Sequence, residues 1–166
     1  MGELPKLHFF CGKMAAGKST LAKTLAEQHS AILLVEDTLL GQLYPQEVVD
    51  IPSYVKYADR LKLALEQPVI ALLSQGVTVV LDFPANTSSQ RQWFWQLIDL
   101  TQVDHVLHFV DKTDAVCKQQ LRMRSANKPK GTAFTSDAEY DAITRYFEPP
   151  TDAEQFNIVR YTDSDE

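Results

Sequence analysis

Long apolar runs are missing from this 166-residue chain, and none approaches the roughly 18 residues that a membrane-spanning helix needs. The opening residues, Met1 to Lys6, show no charged segment followed by a long apolar stretch and a cleavage site, so no secretory signal is expected. Cysteine is scarce. Cys11 and Cys117 are the only two, neither sits in a metal-type or redox-type pair, and the expectation is free thiols in a reducing cytoplasm. No His-Cys-acid grouping has metal-ligand spacing. A basic excess is also missing. Sixteen Lys and Arg stand against 22 Asp and Glu, for a net charge of -6, which counts against broad, nonspecific nucleic-acid binding and leaves room only for a local basic groove. Internal repeats and low-complexity tracts are absent, and the length suits one compact domain over 1–166.

What the chain does have is apolar residues at 45% and charged residues at 23%, near the globular average and enough to bury a core without disulfides or metal. Short apolar runs alternate with helical periodicity. Leu7 to Cys11, Ala31 to Val35, Val77 to Leu81, Val106 to Val110 and Phe156 to Tyr161 read as buried strands. Between them, Leu21, Ala22, Leu25 and Ala26 recur at helical spacing, with an end near Gln28 to Ser30. Thr38 to Pro52 reads as a short helix plus loop. Ser53 is placed to cap a longer helix with Val55, Ala58, Leu61, Ala64 and Leu65 on one face. Pro68 predicts a kink in it and Gly76 a stop. Ser89 with Gln92 fits a capping box before Trp93, Leu97 and Leu100. Thr113 caps a helix to about Ser125, a basic loop covers Ala126 to Phe134, and Ser136 with Glu139 boxes a helix carrying Tyr140, Ile143 and Phe147 that Pro149 and Pro150 end. The acidic tail from Thr162 to Glu166 is expected to fray. Strands alternating with helices imply an α/β fold with a parallel sheet covered on both faces.

The residues Gly12, Lys13, Met14, Ala15, Ala16, Gly17, Lys18 and Ser19 match the pattern G-x-x-x-x-G-K-S/T in full. Glycines let a backbone wrap tightly and present its N–H groups inward to a polyphosphate. The helix that follows points its positive end at the anion. Lys18 adds a point charge for the β- and γ-phosphates, Ser19 offers a hydroxyl to Mg²⁺, and the cradle extends to Thr20. The motif follows a predicted strand and opens a predicted helix, as its mechanism requires. The expectation is therefore a site for ATP with Mg²⁺. Guanine specificity is not expected. Asp111-Lys112-Thr113-Asp114 has Asp where N-K-x-D needs Asn, Asn127-Lys128-Pro129-Lys130 lacks the final Asp, and Asp82-Phe83-Pro84-Ala85 is not D-x-x-G.

With these residues the chain resembles the compact P-loop kinases that include chloramphenicol phosphotransferase, the zeta toxins and the kinase domain of polynucleotide kinase. The resemblance covers most of the chain. It implies a P-loop NTPase three-layer sandwich, with a mainly parallel five-stranded sheet, helices on both faces and a small lid over about 122–135. It places Asp37, just past the second strand, as the base for an acceptor hydroxyl. A carboxylate at the C-terminal edge of a parallel sheet suits that role, and the alternative is a loop acid or helix cap; Glu36 is the neighbour most easily confused with it. By the same resemblance Asp82 holds a Mg²⁺-bound water, while Asn86 and Arg91 face the acceptor or the transferred phosphate. Arg91 reads equally as a solvated helix residue. The resemblance also assigns lid arginines to the ATP phosphates. Gln120 stands where the earlier one belongs, and Arg124 fits the later one, ahead of Arg122.

Other conspicuous residues read as packing. His8 and His108 lie in apolar strands as core residues, and His29 and His105 as surface or loop residues. Tyr44, Tyr54 and Tyr57 lie where the resembling enzymes bind acceptors, and Trp93, Phe94 and Trp95 are candidates to line an acceptor pocket, with packing as the default for both groups. The leading expectation is a cytoplasmic ATP-dependent kinase acting on a hydroxyl of a small molecule. A 5′-hydroxyl kinase for nucleic-acid ends and an ATP-hydrolysing regulator without transfer are the alternatives.

Overall fold

The computed structural model describes Leu4, residues 6–132 and residues 134–164. Five strands, β1 (Lys6–Cys11), β2 (Ile32–Val35), β3 (Val79–Pro84), β4 (Asp104–Val110) and β5 (Ile158–Tyr161), form one sheet in the order β2-β3-β1-β4-β5. Every neighbouring pair is parallel. The helices between them are α1 (Lys18–Gln28), α2 (Glu36–Leu43), α3 (Ile51–Ser74), α4 (Ser88–Thr101), α5 (Asp114–Ser125) and α6 (Asp137–Thr144), with a 3-10 turn at Asp152–Glu154 before β5. Because β1 is flanked by β3 on one side and β4 on the other, the strand order reverses beside it. In open parallel sheets a crevice forms at the carboxyl ends of the strands at such a switch point.

Side chains alternate along the central strands, and the alternation sorts them into two cores. Leu7, Phe9 and Cys11 join Val79, Leu81 and Phe83 under α3 and α4, packed with Val69, Leu73, Phe94 and Leu97. The rings of Phe9 and Phe94 stack at 4.3 Å between centroids. On the opposite face Phe10 and Val80 meet Ala22 and Ala26 of α1. A smaller cluster of Ala16, Val110, Cys117, Leu121 and Tyr140 joins α5 and α6 to the end of β4. Both cysteines are free and buried in these layers.

Several local expectations are corrected. Asp50, not Ser53, caps α3. Its carboxylate accepts from the Ser53 amide, and Ser53 returns the bond as the third residue of the box. Pro68 does not break α3, which runs unbroken through it. Position 68 is exposed to solvent. The buried face of α3 is Ala58, Leu61, Val69 and Leu73, while Val55 and Ala64 are exposed. Thr87 caps α4 by accepting from the Gln90 amide, and the helix buries Arg91, Phe94, Leu97 and Ile98. Leu97 is buried as expected, but Leu100 points to solvent, because the buried stripe runs through Arg91, Phe94, Leu97 and Ile98. Strand β3 runs on to Pro84, so Asp82 lies within it. Helix α2 starts at Glu36, which places both acids in its first turn. Phe147 lies beyond α6, and Phe156 lies before β5. In the tail, the Asp163 carboxylate accepts from the Thr113 amide at 2.9 Å, so the chain is tied down that far. Asp165 and Glu166 lie outside the described residues.

His8 and His108 are core residues, as read. His8 Nδ1 lies 3.0 Å from His108 Nε2, and His108 Nδ1 lies 2.9 Å from the Tyr161 hydroxyl. Burial pushes the His108 imidazole down to about 4, helped by His8 and His29 beside it. His29 is not a bystander, since its ring stacks on His8 at 5.1 Å. His105 lies within β4, where Nε2 accepts from the Asn157 amide at 3.0 Å.

Candidate active site

The segment 12–17 leaves β1 and turns directly into α1. Gly12 is required by space. A Cβ there would stand 2.7 Å from the Val110 carbonyl oxygen and 3.3 Å from Val110 Cβ. Gly17 is required by backbone shape, with φ at 108°, a region L side chains rarely adopt. The Lys18 ammonium folds back over its own loop and donates to the carbonyls of Gly12 and, at 2.9 Å, Lys13. Burial pushes that ammonium down to about 8, against the pull of Asp82. Lys13 is held by Asp114 of α5 at 2.9 Å, and the same carboxylate oxygen accepts from the Tyr140 hydroxyl at 2.6 Å.

Ser19 donates its hydroxyl to Asp82 Oδ2 at 2.7 Å, bringing the start of α1 to the end of β3. Burial pushes the Asp82 carboxyl up, and the Ser19 hydrogen bond opposes this. A hydroxyl and a carboxylate oxygen are the hard donors that Mg²⁺ accepts, and an ion that keeps several waters needs few protein ligands. Asn86, past β3, accepts from the Gly12 amide at 2.9 Å. Asp37, in the first turn of α2, is exposed.

These residues share one cleft of about 1900 Å³ that runs from the phosphate loop, past Asp37, Asp82 and Asn86, to α3 and α4. Lys13 to Thr20 line one end, and Arg124 reaches the same cleft from the end of α5. Arg124 stands near enough to Lys18 to help lower its ammonium.

Two expected site residues are not brought in. Arg91 is 1% exposed. Its guanidinium donates to Glu154 at 2.7 Å, to the Ala85 carbonyl at 2.9 Å and to the Glu148 carbonyl at 2.8 Å. Its donors are committed within the fold, so it neither faces an acceptor nor sits solvated on its helix. Arg122 is exposed and pairs with Asp137 of α6 at 2.6 Å, away from the cleft. Two residues apart on α5, Arg122 and Arg124 point to opposite faces of the helix, and the face of Arg122 meets the acid on α6.

One group is more deeply built into the cleft than its sequence position announces. Glu36 is 2% exposed. It accepts from the Tyr54 hydroxyl with Oε1, and its Oε2 has no hydrogen-bond partner. Burial pushes its carboxyl up to about 7, with the Tyr54 bond and Lys62 pulling the other way. The only sequence signal was the acidic pair itself, and no spacing rule says which of two adjacent acids turns inward at a helix start. Among the aromatics, Tyr44, Tyr54 and Trp93 line the cleft, while Phe94 belongs to the core.

A parallel sheet in this order, with a phosphate loop at the turn from its central strand to the first helix, defines a P-loop NTPase fold, in the form taken by the P-loop kinases. The profile of one family, described as an AAA domain, matches residues 7–150, and the chain belongs to that family. Among solved structures, a candidate kinase of Chloroflexus aurantiacus j-10-fl is similar at a TM-score of 0.74 and 16% identity, over 96% of this chain and 89% of that one. Kti12 of Chaetomium thermophilum, solved with ADP-AlF3, is similar at 0.70 and 15% identity, over 96% and 90% of the two chains. The APS kinase CysC of Mycobacterium tuberculosis, solved with AMPPNP and APS, is similar at 0.67 and 18% identity, over 98% and 91%. These likenesses concern the fold. No sequence match to a curated protein is found. No helix among the described residues is long and apolar enough to cross a membrane.

Proposed function

We propose that this chain is an ATP-dependent phosphotransferase that moves the γ-phosphoryl group to a hydroxyl of a small-molecule acceptor. The observation that carries the reading is the placement of an exposed carboxylate, Asp37, in the same cleft as the phosphate loop. A hydrolase of ATP alone needs no such acceptor space beyond the γ-phosphate. Backbone amides of 13–19 and the Lys18 ammonium hold the β- and γ-phosphates, and Lys18 exchanges its carbonyl partners for phosphate oxygens. The acceptor oxygen forms a bond to the γ-phosphorus as the bond to the ADP oxygen breaks, and Asp37 takes the hydroxyl proton. Ser19 and Asp82 would hold Mg²⁺, which would supply charge neutralisation for the phosphate groups. Arg124 adds charge from a lid over about 122–135, within one domain of residues 1–166, and its closure limits hydrolysis by water.

The test uses γ-labelled ATP and a panel of hydroxyl acceptors. Asp37→Asn is expected to lower turnover by roughly 10²- to 10⁴-fold while Mg·AMPPNP binds as before. Undiminished transfer in that variant refutes the base. A protein that hydrolyses ATP slowly and labels no acceptor is a regulator rather than a kinase. Nucleic-acid ends are the less favoured acceptor, because the wall beyond Asp37 carries Asp59 and Glu66, which repel a phosphate backbone.

A further inference from the structure

We propose that the acceptor is an alcohol bearing a protonated amine, held by the acidic and aromatic wall formed by α2, α3 and α4. The inference rests on the kinase reading for which end of the cleft receives the acceptor, and it names the chemistry of that end.

The charges in the cleft are divided. Lys13, Lys18, Arg124 and Lys128 line the end with the phosphate loop and the lid. Beyond Asp37 the lining side chains with charge are Glu36, Asp59, Glu66 and one cation, Lys62. Lys62 lies over the Trp93 ring at 5.9 Å and close enough to Glu36 to oppose the rise of its carboxyl. The other cations of this stretch of α3 are diverted. Lys56 and Arg60 lie over the Tyr57 ring at 5.3 and 5.4 Å, behind Tyr44, on which Tyr57 packs at 4.3 Å. An acceptor carrying a carboxylate, sulfate or phosphate would meet no arginine fork on this wall and several like charges.

Glu36 supplies the second, independent sign. Its Oε2 is buried and lacks a donor, and the residue itself is part of the cleft lining. A buried acceptor without a partner is costly, and such groups persist where a ligand completes them. An ammonium group brings donors and charge together. Tyr44, Tyr54 and Trp93 line the same end, and aromatic faces attract a cation there. An uncharged alcohol could also donate a hydroxyl to the Glu36 oxygen, but it brings no positive charge to a wall lined by Glu36, Asp59 and Glu66.

Binding is measured by calorimetry on the full chain holding Mg·AMPPNP, so that it does not depend on transfer. Two matched trios serve as probes: glucosamine, glucose and glucuronate; and tyramine, 4-hydroxyphenylacetamide and 4-hydroxyphenylacetate. In at least one trio the amine is expected to bind at least about tenfold tighter than the carboxylate, the scale of one added ion pair at a half-exposed site. The Asp59→Lys, Glu66→Lys double variant changes residues at the cleft mouth and is expected to erase that preference. Glu36→Gln is expected to weaken the amine alone. Carboxylates binding as tightly as amines, no amine binding at all, or an amine preference unmoved by all three substitutions each overturns the proposal. Labelled phosphate passing to an anionic acceptor would sink the charge preference and keep the kinase. Amine binding without transfer to any acceptor would do the reverse.

Discussion

Replacing Arg91 by alanine separates two roles that a sequence cannot tell apart. The side chain is 1% exposed and its ion-pair partner Glu154 is 20% exposed, so the pair is shielded far more than a surface pair. Removal strands the Glu154 carboxylate and takes a donor from the carbonyls of Ala85 and Glu148. Breaking a buried, hydrogen-bonded pair costs roughly 3–5 kcal/mol, a large share of the roughly 5–15 kcal/mol that holds a domain folded. For a chain of this size the melting temperature should fall by roughly 6 to 20 °C. Burial pushes the Glu154 carboxyl up, but the Arg91 hydrogen bond and the Thr151 amide outweigh it and leave the carboxyl below its ordinary value. Its contribution is therefore present above the unfolded carboxylate value of about 4.3 and is lost as pH falls through the lower, folded one. Urea unfolding at pH 7 and again below pH 4 is the assay, and the penalty of Arg91→Ala should shrink in acid. A loss under about 1 kcal/mol at pH 7, within the range of exposed pairs, would refute the reasoning. So would a variant of unchanged stability that fails only in acceptor binding.

Three further outcomes follow from single contacts. Gly12→Ala drives a methyl against the Val110 carbonyl and should cost about 1–3 kcal/mol in urea unfolding, and Mg·AMPPNP affinity should fall at least roughly tenfold as the loop shifts; a variant that binds normally would show that the loop has slack. Glu36→Gln should raise the melting temperature at pH 8 and leave it unchanged near pH 4, because a carboxyl raised in the fold favours folding below its unfolded value and loses that favour as pH rises through about 7; equal melting of the two proteins at pH 8 would count against a buried charge. Pro68→Ala should stabilise α3 by about 1–2 kcal/mol, less than the full interior proline cost, since it restores an amide donor at an exposed position without adding bulk; unchanged unfolding would mean that the freed carbonyl is already satisfied.

The sheet and the phosphate loop were legible because their signals are local and redundant. Strand β1, Gly12, Gly17, Lys18 and Ser19 form one unbroken stretch in which spacing, glycine placement and the following apolar periodicity agree. Asp82 and Asn86 stood out as polar residues in and after the third apolar run, and the structure places both beside the loop, one bonded to Ser19 and the other to the Gly12 amide. What escaped was decided by distant partners. Arg91 looks like any helix arginine until Glu154 and the Glu148 carbonyl are brought to it by the return of the chain after α6, beside the Ala85 carbonyl that lies just ahead of its own helix. Arg122 and Arg124 sit two residues apart, and Asp137, fifteen residues beyond Arg122, draws one of them away. Glu36 and Asp37 are adjacent acids, and only the approach of Tyr54 from α3 shows which one is buried. Cap positions failed for a smaller reason. Asp50 and Thr87 each preceded another plausible capping residue by two or three places, and both members of each pair satisfy the same local rule.

Asn86 ties three strands of the chain together at a single residue. Its side chain accepts from Gly12, its amide donates to Gln90, and its carbonyl accepts from the Glu148 amide. At the other border of the same excursion, Lys13 grips Asp114. The stretch from α5 to α6 is thus bonded at both of its borders to residues of the phosphate loop, at one of them through Asn86, and between them Cys117, Leu121 and Tyr140 pack on Ala16 and Val110. An anion that claimed the Gly12 amide or the Lys13 ammonium would compete with those border bonds, so the occupancy of the loop and the seating of α5 and α6 draw on the same hydrogen-bonding groups.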